Sequence, residues 1–219
     1  MKNFLYKEIK LCMAPINIIF LLFTMMIIIP NYPYYVPFFY LCLSVYMIFN
    51  LGELNKDIAY SMILPIKKSD IVKSRCILIA AYEITGIILT LPFVFFKHNI
   101  LTMQNDAGIE CNFAFYGFQM ILLTLFHFVF FTTFYKKAEK PGISFLISSI
   151  VYWIGYFIFE FPFWVNSIFQ NEFIKSLDSV SPENFNVQIP FLISGILIYI
   201  IGWIVTYKVS ANKFNKVDI

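Results

Sequence analysis

Long apolar stretches alternate with short polar ones along almost the whole chain. Six stretches reach roughly the 20 residues that a helix needs to cross a bilayer core of about 30 Å. They lie at about 12–30, 34–51, 76–96, 113–135, 142–162 and 190–207. These stretches are continuous rather than alternating, which excludes a membrane β-barrel. The pattern therefore predicts an all-α integral membrane protein, with residues 1–219 forming a single transmembrane domain of six helices.

The N-terminal residues 1–14 have an amphipathic pattern of their own. Leu5, Ile9, Cys12 and Met13 fall on one helical face, with Lys7 on the opposite one. This is typical of a helix that lies in the membrane interface. The apolar stretch that follows is long and ends in Pro-Asn-Tyr-Pro rather than in small residues, so we expect a retained span and not a cleaved signal peptide.

The connection over residues 163–189 also has a partly apolar pattern. Val165, Phe169, Phe173 and Leu177 recur every four residues and would share one face of a helix. Two interpretations remain open. The segment lies in or dips into the membrane interface as a re-entrant element, or it is an ordinary outer helix packed on the bundle.

Composition agrees with the pattern, and charge gives it a direction. The chain is 60% hydrophobic and 13% charged, and fourteen of its sixteen Lys and Arg residues fall on one side of the predicted spans. These fourteen are Lys2, Lys7, Lys10, Lys56, Lys67, Lys68, Lys73, Arg75, Lys136, Lys137, Lys140, Lys208, Lys213 and Lys216. Since basic residues concentrate in cytoplasmic loops, both termini are predicted to be cytoplasmic. Of the four cysteines only Cys111 then lies outside, so we expect no internal disulfide and predict that an impermeant thiol reagent reaches Cys111.

Catalytic motifs are absent from the sequence. There are two histidines, with no metal-ligand pair at helical spacing, no G-x-S-x-G elbow and no phosphate-binding G-x-x-x-x-G-K-[ST] loop. We therefore expect no enzyme activity, no metal site, no cofactor and no nucleic-acid partner for this chain. If ATP is used, another chain binds it.

Three ionisable residues fall inside the predicted spans. Glu83 and His127 lie deep, about 12–14 Å from the basic boundary at 1.5 Å per residue, whereas Glu160 lies near the outer end of its span and is expected to snorkel. Charges at membrane depth are costly unless paired. The three are candidates for a translocation path. The alternative is structural: Glu83 and His127 share one interhelical polar contact between neighbouring spans.

The longest polar connection, residues 52–75, is called the basic elbow below. Leu54, Ile58 and Met62 continue a four-residue period past the second span, and Pro65 then ends that helix. Ser69 is the predicted N-cap of the next helix, with Asp70 in its first turn. A plain positive-inside loop that attracts anionic lipid explains the lysines, but it does not explain the proline break and the apolar face together.

The order of a basic amphipathic N-terminus, two spans, this elbow and four more spans resembles the permease subunits of type-2 ABC exporters. The matching residues are Leu64-Pro65, Lys67-Lys68, Ile71-Val72 and Ser74-Arg75. The sequence departs from the family pattern at Ile66-Lys67, where a small residue and Arg are frequent. The topological resemblance covers the whole chain, and the motif covers about 25 residues.

The resemblance implies a half-size permease in a bacterial plasma membrane. A second copy or a paralogue would complete it, and ABC ATPase subunits would supply ATP and Mg²⁺. The elbow would be the coupling helix, and residues 1–14 the connecting helix. Small permeases of this kind often export amphipathic or antimicrobial peptides, sometimes lipids. The residues expected to bind the ATPase are Ile58, Met62, Ile63, Leu64, Pro65, Ile66, Lys67, Lys68, Ser69 and Asp70.

Two other functions stay open on the sequence. One is a membrane scaffold or assembly protein that does not transport and whose basic elbow binds lipid or a partner protein. The other is an ion-coupled carrier that uses Glu83 and His127. The lack of an internal repeat and of matched broken helices counts against the carrier.

Overall fold

A computed structural model of the chain describes residues 2–63, 66–101, 105–138 and 140–217, with the side chains of 2–5 and 167 left out. Regular structure within these ranges is entirely helical. The helices are α1 (Lys2–Cys12), α2 (Pro15–Leu22), α3 (Tyr35–Leu54), α4 (Asp57–Ile63), α5 (Lys68–Phe96), α6 (Phe113–Phe134), α7 (Pro141–Phe169), α8 (Glu172–Asp178) and α9 (Phe185–Asn215). Short 3₁₀ segments follow α2 (Phe23–Ile28) and α8 (Pro182–Asn184), and a π turn (Lys97–Leu101) follows α5.

Five of these helices are long and apolar enough to cross a membrane: α3, α5, α6, α7 and α9. A sixth span exists if α1 and the Pro15–Ile28 segment count as one span bent by 92°. The bend has a local cause. The residue before a proline is pushed out of the helical region, and Ala14 before Pro15 is extended, with φ −114° and ψ 163°.

The predicted spans and the observed helices agree best at the centre of the bundle. The stretch at 113–135 corresponds to α6 almost residue for residue, whereas α5, α7 and α9 continue well beyond their apolar stretches. Those extensions carry polar residues, which do not stop a helix. In the first stretch, 12–30, Cys12 ends α1, and helix resumes from Pro15 to Ile28, with the part from Phe23 to Ile28 being 3₁₀.

Helix α6 is the most enclosed of the five long helices, and it packs closely against α9. A β-carbon at Gly195 would lie 2.4 Å from the carbonyl oxygen of Gly117, and one at Gly117 would lie 2.3 Å from the carbonyl oxygen of Phe191. Glycine at these positions lets the two backbones approach, which is how membrane helices gain packing energy. At one end of α6, the ring of Phe49 from α3 lies against Phe131 and neighbouring rings.

Two predicted apolar faces are interrupted in the structure. Helix α3 ends at Leu54 and Lys56 takes a left-handed φ of 52°, so Leu54 is exposed while Ile58 is half-buried. Gln170, with φ 47°, ends α7 in the same way. The prediction of continuous helical faces was wrong at both places, because a four-residue period does not reveal a single left-handed residue.

The interfacial location of residues 1–14 stays a prediction, but the side of α1 that packs on the bundle carries a charged residue. Glu8 and Cys12 are fully buried, whereas Ile9 is 50% exposed. Leu5 lies outside the described side chains. The apolar period could not show that a charged residue has a charged partner inside the protein.

Candidate functional site

The most concentrated set of charges lies where α1, α4 and α5 meet. We call Lys7, Glu8, Asp57 and Arg75 the Arg75 network. The Arg75 guanidinium donates to Glu8 (Nε–Oε2 2.5 Å) and to Asp57 (Nη2–Oδ2 2.7 Å). The ammonium of Lys7 lies 2.8 Å from the other oxygen of Asp57 and 3.3 Å from Glu8. The network therefore joins three helices through one guanidinium.

The network is buried and electrically balanced. Glu8 and Asp57 are fully buried, Arg75 is 3% exposed, and two cations face two anions. The ring of Phe49 lies 4.8 Å from the guanidinium carbon and covers its face. A buried ion pair adds little net stability, but removing one partner is strongly destabilising because the other charge stays in the interior. The geometry therefore fixes the relative positions of α1, α4 and α5.

A metal ion is the other chemistry that these residues could support. Ligand atoms of Glu8, Cys12 and Asp57 lie within 4.8 Å of one another. However, Arg75 donates to both carboxylates and to the Cys12 sulfur, at 3.1 Å for the last. The guanidinium thus takes the place that a cation would need, so the arrangement is an ion-pair network and not a metal site.

The Arg75 network holds α4 with one side on the bundle and the other side uncovered. The Ser61 hydroxyl accepts from Lys7 at 2.6 Å and donates to the Asp57 carbonyl at 2.7 Å. On the covered side, Ile58 and Met62 are half-buried against the core. On the uncovered side, Ile63 is 83% exposed and Tyr60 55%. A large apolar side chain as exposed as Ile63 is a candidate contact for a partner.

The remaining predicted partner-binding residues lie around this helix. Ile66 is half-buried against the core and Lys67 is exposed, while Leu64 and Pro65 lie outside the described residues. Lys68 donates to the carbonyl of Val217 at 2.6 Å, so it ties the C-terminal residues to α5.

The predicted start of α5 was off by two residues. Lys67 is the N-cap without a side-chain hydrogen bond, and Ser69 lies inside the first turn, where both it and Asp70 are half-buried. The position of Asp70 in the first turn is confirmed. Ser69 cannot act as a cap because the helix begins before it.

The structure confirms that Glu83 and His127 meet. Nδ1 of His127 lies 3.4 Å from Oε2 of Glu83, and both residues are fully buried. Tyr199 of α9 donates to the same oxygen at 2.7 Å. The sequence placed the first two at equal depth but contained no signal for the tyrosine.

The prediction for Glu160 was wrong. It is 1% exposed rather than snorkelling, and its Oε1 accepts from the backbone N–H of Ile109 at 2.9 Å. A β-carbon at Gly108 would lie 1.3 Å from that oxygen, so only glycine fits beside it. Glu160 therefore holds the connection between α5 and α6. The sequence could not show that this connection folds over the end of α7.

The same connection explains why Cys111 would not be labelled. It is 1% exposed, so the prediction of reagent access was wrong whichever side of the membrane it faces. Its neighbour Glu110 lies 3.3 Å from the ammonium of Lys97, and the Glu110 N–H donates to Asp178 at 2.7 Å. These contacts pack the connection against α8 and bury the thiol.

Two carboxylates in this region have shifted pKa values. Burial, reinforced by the negative charge of Glu110, raises the pKa of Asp178 to about 6 despite the hydrogen bond from the Glu110 N–H. Burial also opposes ionisation of Glu110. The nearby imidazole of His98, the Lys97 ammonium and the N–H of Asn105 outweigh it, so the pKa of Glu110 lies below its usual value.

Comparison with known proteins supplies the family. No curated protein and no solved structure gives a significant match. Residues 3–210 match the family described as ABC-2 family transporter protein. The match runs from α1 to α9 and leaves out only the first residue of α1 and the last residues of α9. The chain is therefore a multi-pass membrane protein that belongs to the ABC-2 transporter family, as its resemblance to type-2 ABC permeases predicts.

Proposed function

We propose that the chain is the transmembrane subunit of an ATP-driven exporter, with ATPase subunits bound in trans at the basic elbow. The family match supports a permease role. The observation that carries the proposal is α4, a short helix fixed from inside by the Arg75 network and exposing Ile63 and Tyr60 outward. A partner that moves such a helix also moves α1 and α5. ATP and Mg²⁺ are bound by the partner chain.

The proposed docking surface differs from the one that the sequence suggests. Ile58, Met62 and Ile66 pack on the core, so among the described residues of the predicted set Ile63 is the exposed apolar contact and Lys67 is a rim charge. Interfaces depend on a few buried anchors inside a polar rim. Rim charges mainly steer encounter.

The test is co-purification of the ATPase in mild detergent from the native host. Ile63→Asp should remove the ATPase, because truncating an anchor costs about 2 kcal/mol or more and a buried charge adds to this. Ile63→Leu is the matched control and should retain it. Lys67→Ala should change mainly the salt dependence of binding. Normal ATPase recovery with Ile63→Asp, together with loss on Lys67→Ala, would favour a lipid-binding elbow and a scaffold role instead.

We further propose six spans with both termini in the cytoplasm. The Pro15–Ile28 segment supports this, because hydrogen bonds hold the residues before it and the residues after it at opposite ends of the bundle. Before it, the Leu11 carbonyl accepts from Asn55, and after it, Asn31 accepts from the N–H of Asp106. A cysteine-free variant carrying Asn171→Cys should be labelled by an impermeant maleimide in intact cells, and one carrying Lys208→Cys should not. The reverse pattern would invert the topology.

For the substrate, we propose an amphipathic peptide or a lipid-like molecule. A groove of about 590 Å³ lies along α3 and α7 and is lined largely by aromatic and aliphatic side chains, including Phe39, Phe145 and Trp153. Ligand sites typically have this size and character. Glu83, His127 and Glu160 do not line it, so their part in a translocation path stays a prediction. The uncovered apolar faces of α7 and α9 leave room for a second copy or a paralogue as well as lipid.

A further inference from the structure

One polar site inside the bundle has no part in docking an ATPase. It lies where α5, α6 and α9 meet and contains Glu83, His127 and Tyr199, with the ring of Trp203 stacked on the imidazole at a centroid distance of 3.8 Å. Glu83 and His127 have no exposed surface and Tyr199 is 5% exposed. We call the contact surface of the three helices around this site the α5–α6–α9 seam.

The site contains two ionisable groups and too few hydrogen bonds for both. Oε2 of Glu83 accepts from Tyr199, but its Oε1 has no hydrogen-bond partner among the described residues. Both ring nitrogens of His127 are also without a hydrogen bond in this part of the chain, because the approach of Nδ1 to Glu83 is close but poorly aligned. Such groups are costly at membrane depth. These unpaired donor and acceptor atoms are therefore available to bind a small ligand.

Charge decides what that ligand is. The groups that face Glu83 are the His127 imidazole of α6, the Tyr199 hydroxyl of α9 and the Cys42 thiol of α3. Tyrosine and cysteine are neutral near pH 7 when buried. Glu83 and His127 together are neutral when they hold one proton between them. With no proton the site contains an unpaired carboxylate, and with two protons it contains an unpaired imidazolium. Either charge is energetically costly in a closed interior.

Polar side chains on α9 extend from the site toward the basic end of the bundle. Tyr199, Trp203, Thr206 and Ser210 are spaced by four, three and four residues, so they share one face of α9 and span about 16 Å at 1.5 Å per residue. Thr206 and Ser210 are fully buried, and within the described chain their hydroxyls have no hydrogen-bond partner. A proton or a water molecule would find donors and acceptors along this face.

We propose that Glu83 and His127 form a proton-binding site inside the membrane domain. The site holds one proton while the α5–α6–α9 seam is closed. A second proton, bound at Oε1 of Glu83, leaves the imidazolium without a counter-ion, and loss of the one proton leaves the carboxylate without one. Either change favours opening of the seam to water, with the proton exchanged along the α9 face. The site belongs to the bundle itself and does not depend on an ATPase partner.

This proposal predicts a characteristic set of pH dependences. Opening of the seam should pass through a minimum at an intermediate pH in the unmodified site and should rise on both the acid and the alkaline side of it. Glu83→Gln leaves a neutral imidazole, so opening should rise only toward acid. His127→Gln leaves a carboxyl that must stay protonated, so opening should rise only toward alkaline pH. The double variant should show no dependence.

The reporter is Trp203. The chain has three tryptophans, and Trp153→Phe with Trp164→Phe leaves Trp203 alone beside the imidazole. Its quenching by acrylamide, measured against pH in detergent, reports access of water to the seam in all four proteins, with helix content by circular dichroism as the folding control. Identical profiles in the unmodified and single-variant proteins, or a remaining minimum in the double variant, would overturn the proposal.

A second measurement keeps the site intact and so does not depend on whether the variants fold. The chain has two histidines, and His98→Gln leaves His127 as the only one. Nitrogen NMR of its labelled ring, recorded at the pH where Trp203 is least quenched, should show a ring proton that exchanges slowly with water. A ring proton that exchanges as fast as that of an exposed histidine would refute a proton held inside a closed seam.

Discussion

Replacing Arg75 by methionine tests whether the Arg75 network sets the position of the elbow. Methionine keeps the length and the apolar stem of the side chain but removes the guanidinium. Glu8 and Asp57 then stay buried, with no exposed surface, and only Lys7 remains as a cation. The site changes from neutral to a net charge of −1 in the interior.

The expected loss follows from that count. Removing one partner of a buried ion pair costs about 3–5 kcal/mol, and the lost contact with the Phe49 ring, 4.8 Å away, adds about 1 kcal/mol. Glu8→Gln in the same chain restores neutrality, because the Lys7–Asp57 pair at 2.8 Å survives. We therefore expect the double variant to lose less unfolding free energy than the two single variants added together, by about 1–3 kcal/mol.

The assay is thermal unfolding in mild detergent, followed by circular dichroism, for Arg75→Met, Glu8→Gln and the double variant. Lys73→Met is the matched control, since Lys73 is an exposed residue on the same helix and should stay within about 0.5 kcal/mol of the unmodified protein. ATPase co-purification should also fall for Arg75→Met, although Arg75 is not on the surface. If Arg75→Met behaves like Lys73→Met, or if the single losses simply add, the network does not fix the elbow.

Further predictions concern packing and pH. Gly195→Ala should destabilise the bundle by about 1–3 kcal/mol, because its β-carbon would lie 2.4 Å from the Gly117 carbonyl oxygen, whereas Gly142→Ala, with no atom within 4 Å, should be neutral in the same unfolding assay. For Asp178, whose pKa in the folded protein is raised to about 6, the folded state binds the proton more tightly than the unfolded state. Stability should therefore fall as pH rises from about 4 to 6. Asp178→Asn, which keeps an acceptor for the Glu110 N–H, should flatten unfolding temperature against pH over that range, and an unchanged slope would count against this assignment.

The sequence predicted the membrane helices well and their connections poorly, for one physical reason. A span is defined by transfer of about 20 side chains from water to hydrocarbon, a sum that one residue does not alter. The break at Lys56 and the end of α7 at Gln170 each depend on one left-handed backbone conformation, which a hydropathy pattern does not record. The prediction that Glu83 and His127 meet held because both residues were unfavourable in lipid for the same reason.

The Arg75 network could not be predicted from the sequence, because its members are far apart in the chain and each has a local explanation at its own position. Glu8 lies between lysines in a basic helix, and Asp57 begins a short helix where an acidic residue is expected from the helix dipole. Only the fold shows that Arg75 reaches both. An acidic residue inside a strongly basic segment was the available signal.

Burial of this network also has a consequence for recognition. The carboxylates of Glu8 and Asp57 are paired with Arg75 and Lys7 inside the protein. They therefore do not offset the cations exposed nearby, among them Lys56, Lys67 and Lys73. The network withdraws two cations together with two anions, so the surface around Ile63 keeps the net positive charge of the elbow. A partner that docks there should present acidic residues around an apolar pocket, and its association rate should fall as salt screens the attraction. Anionic lipid would share the salt dependence but not the requirement for an apolar side chain at Ile63, so comparison of Ile63→Asp with Ile63→Leu at low and high salt separates the two.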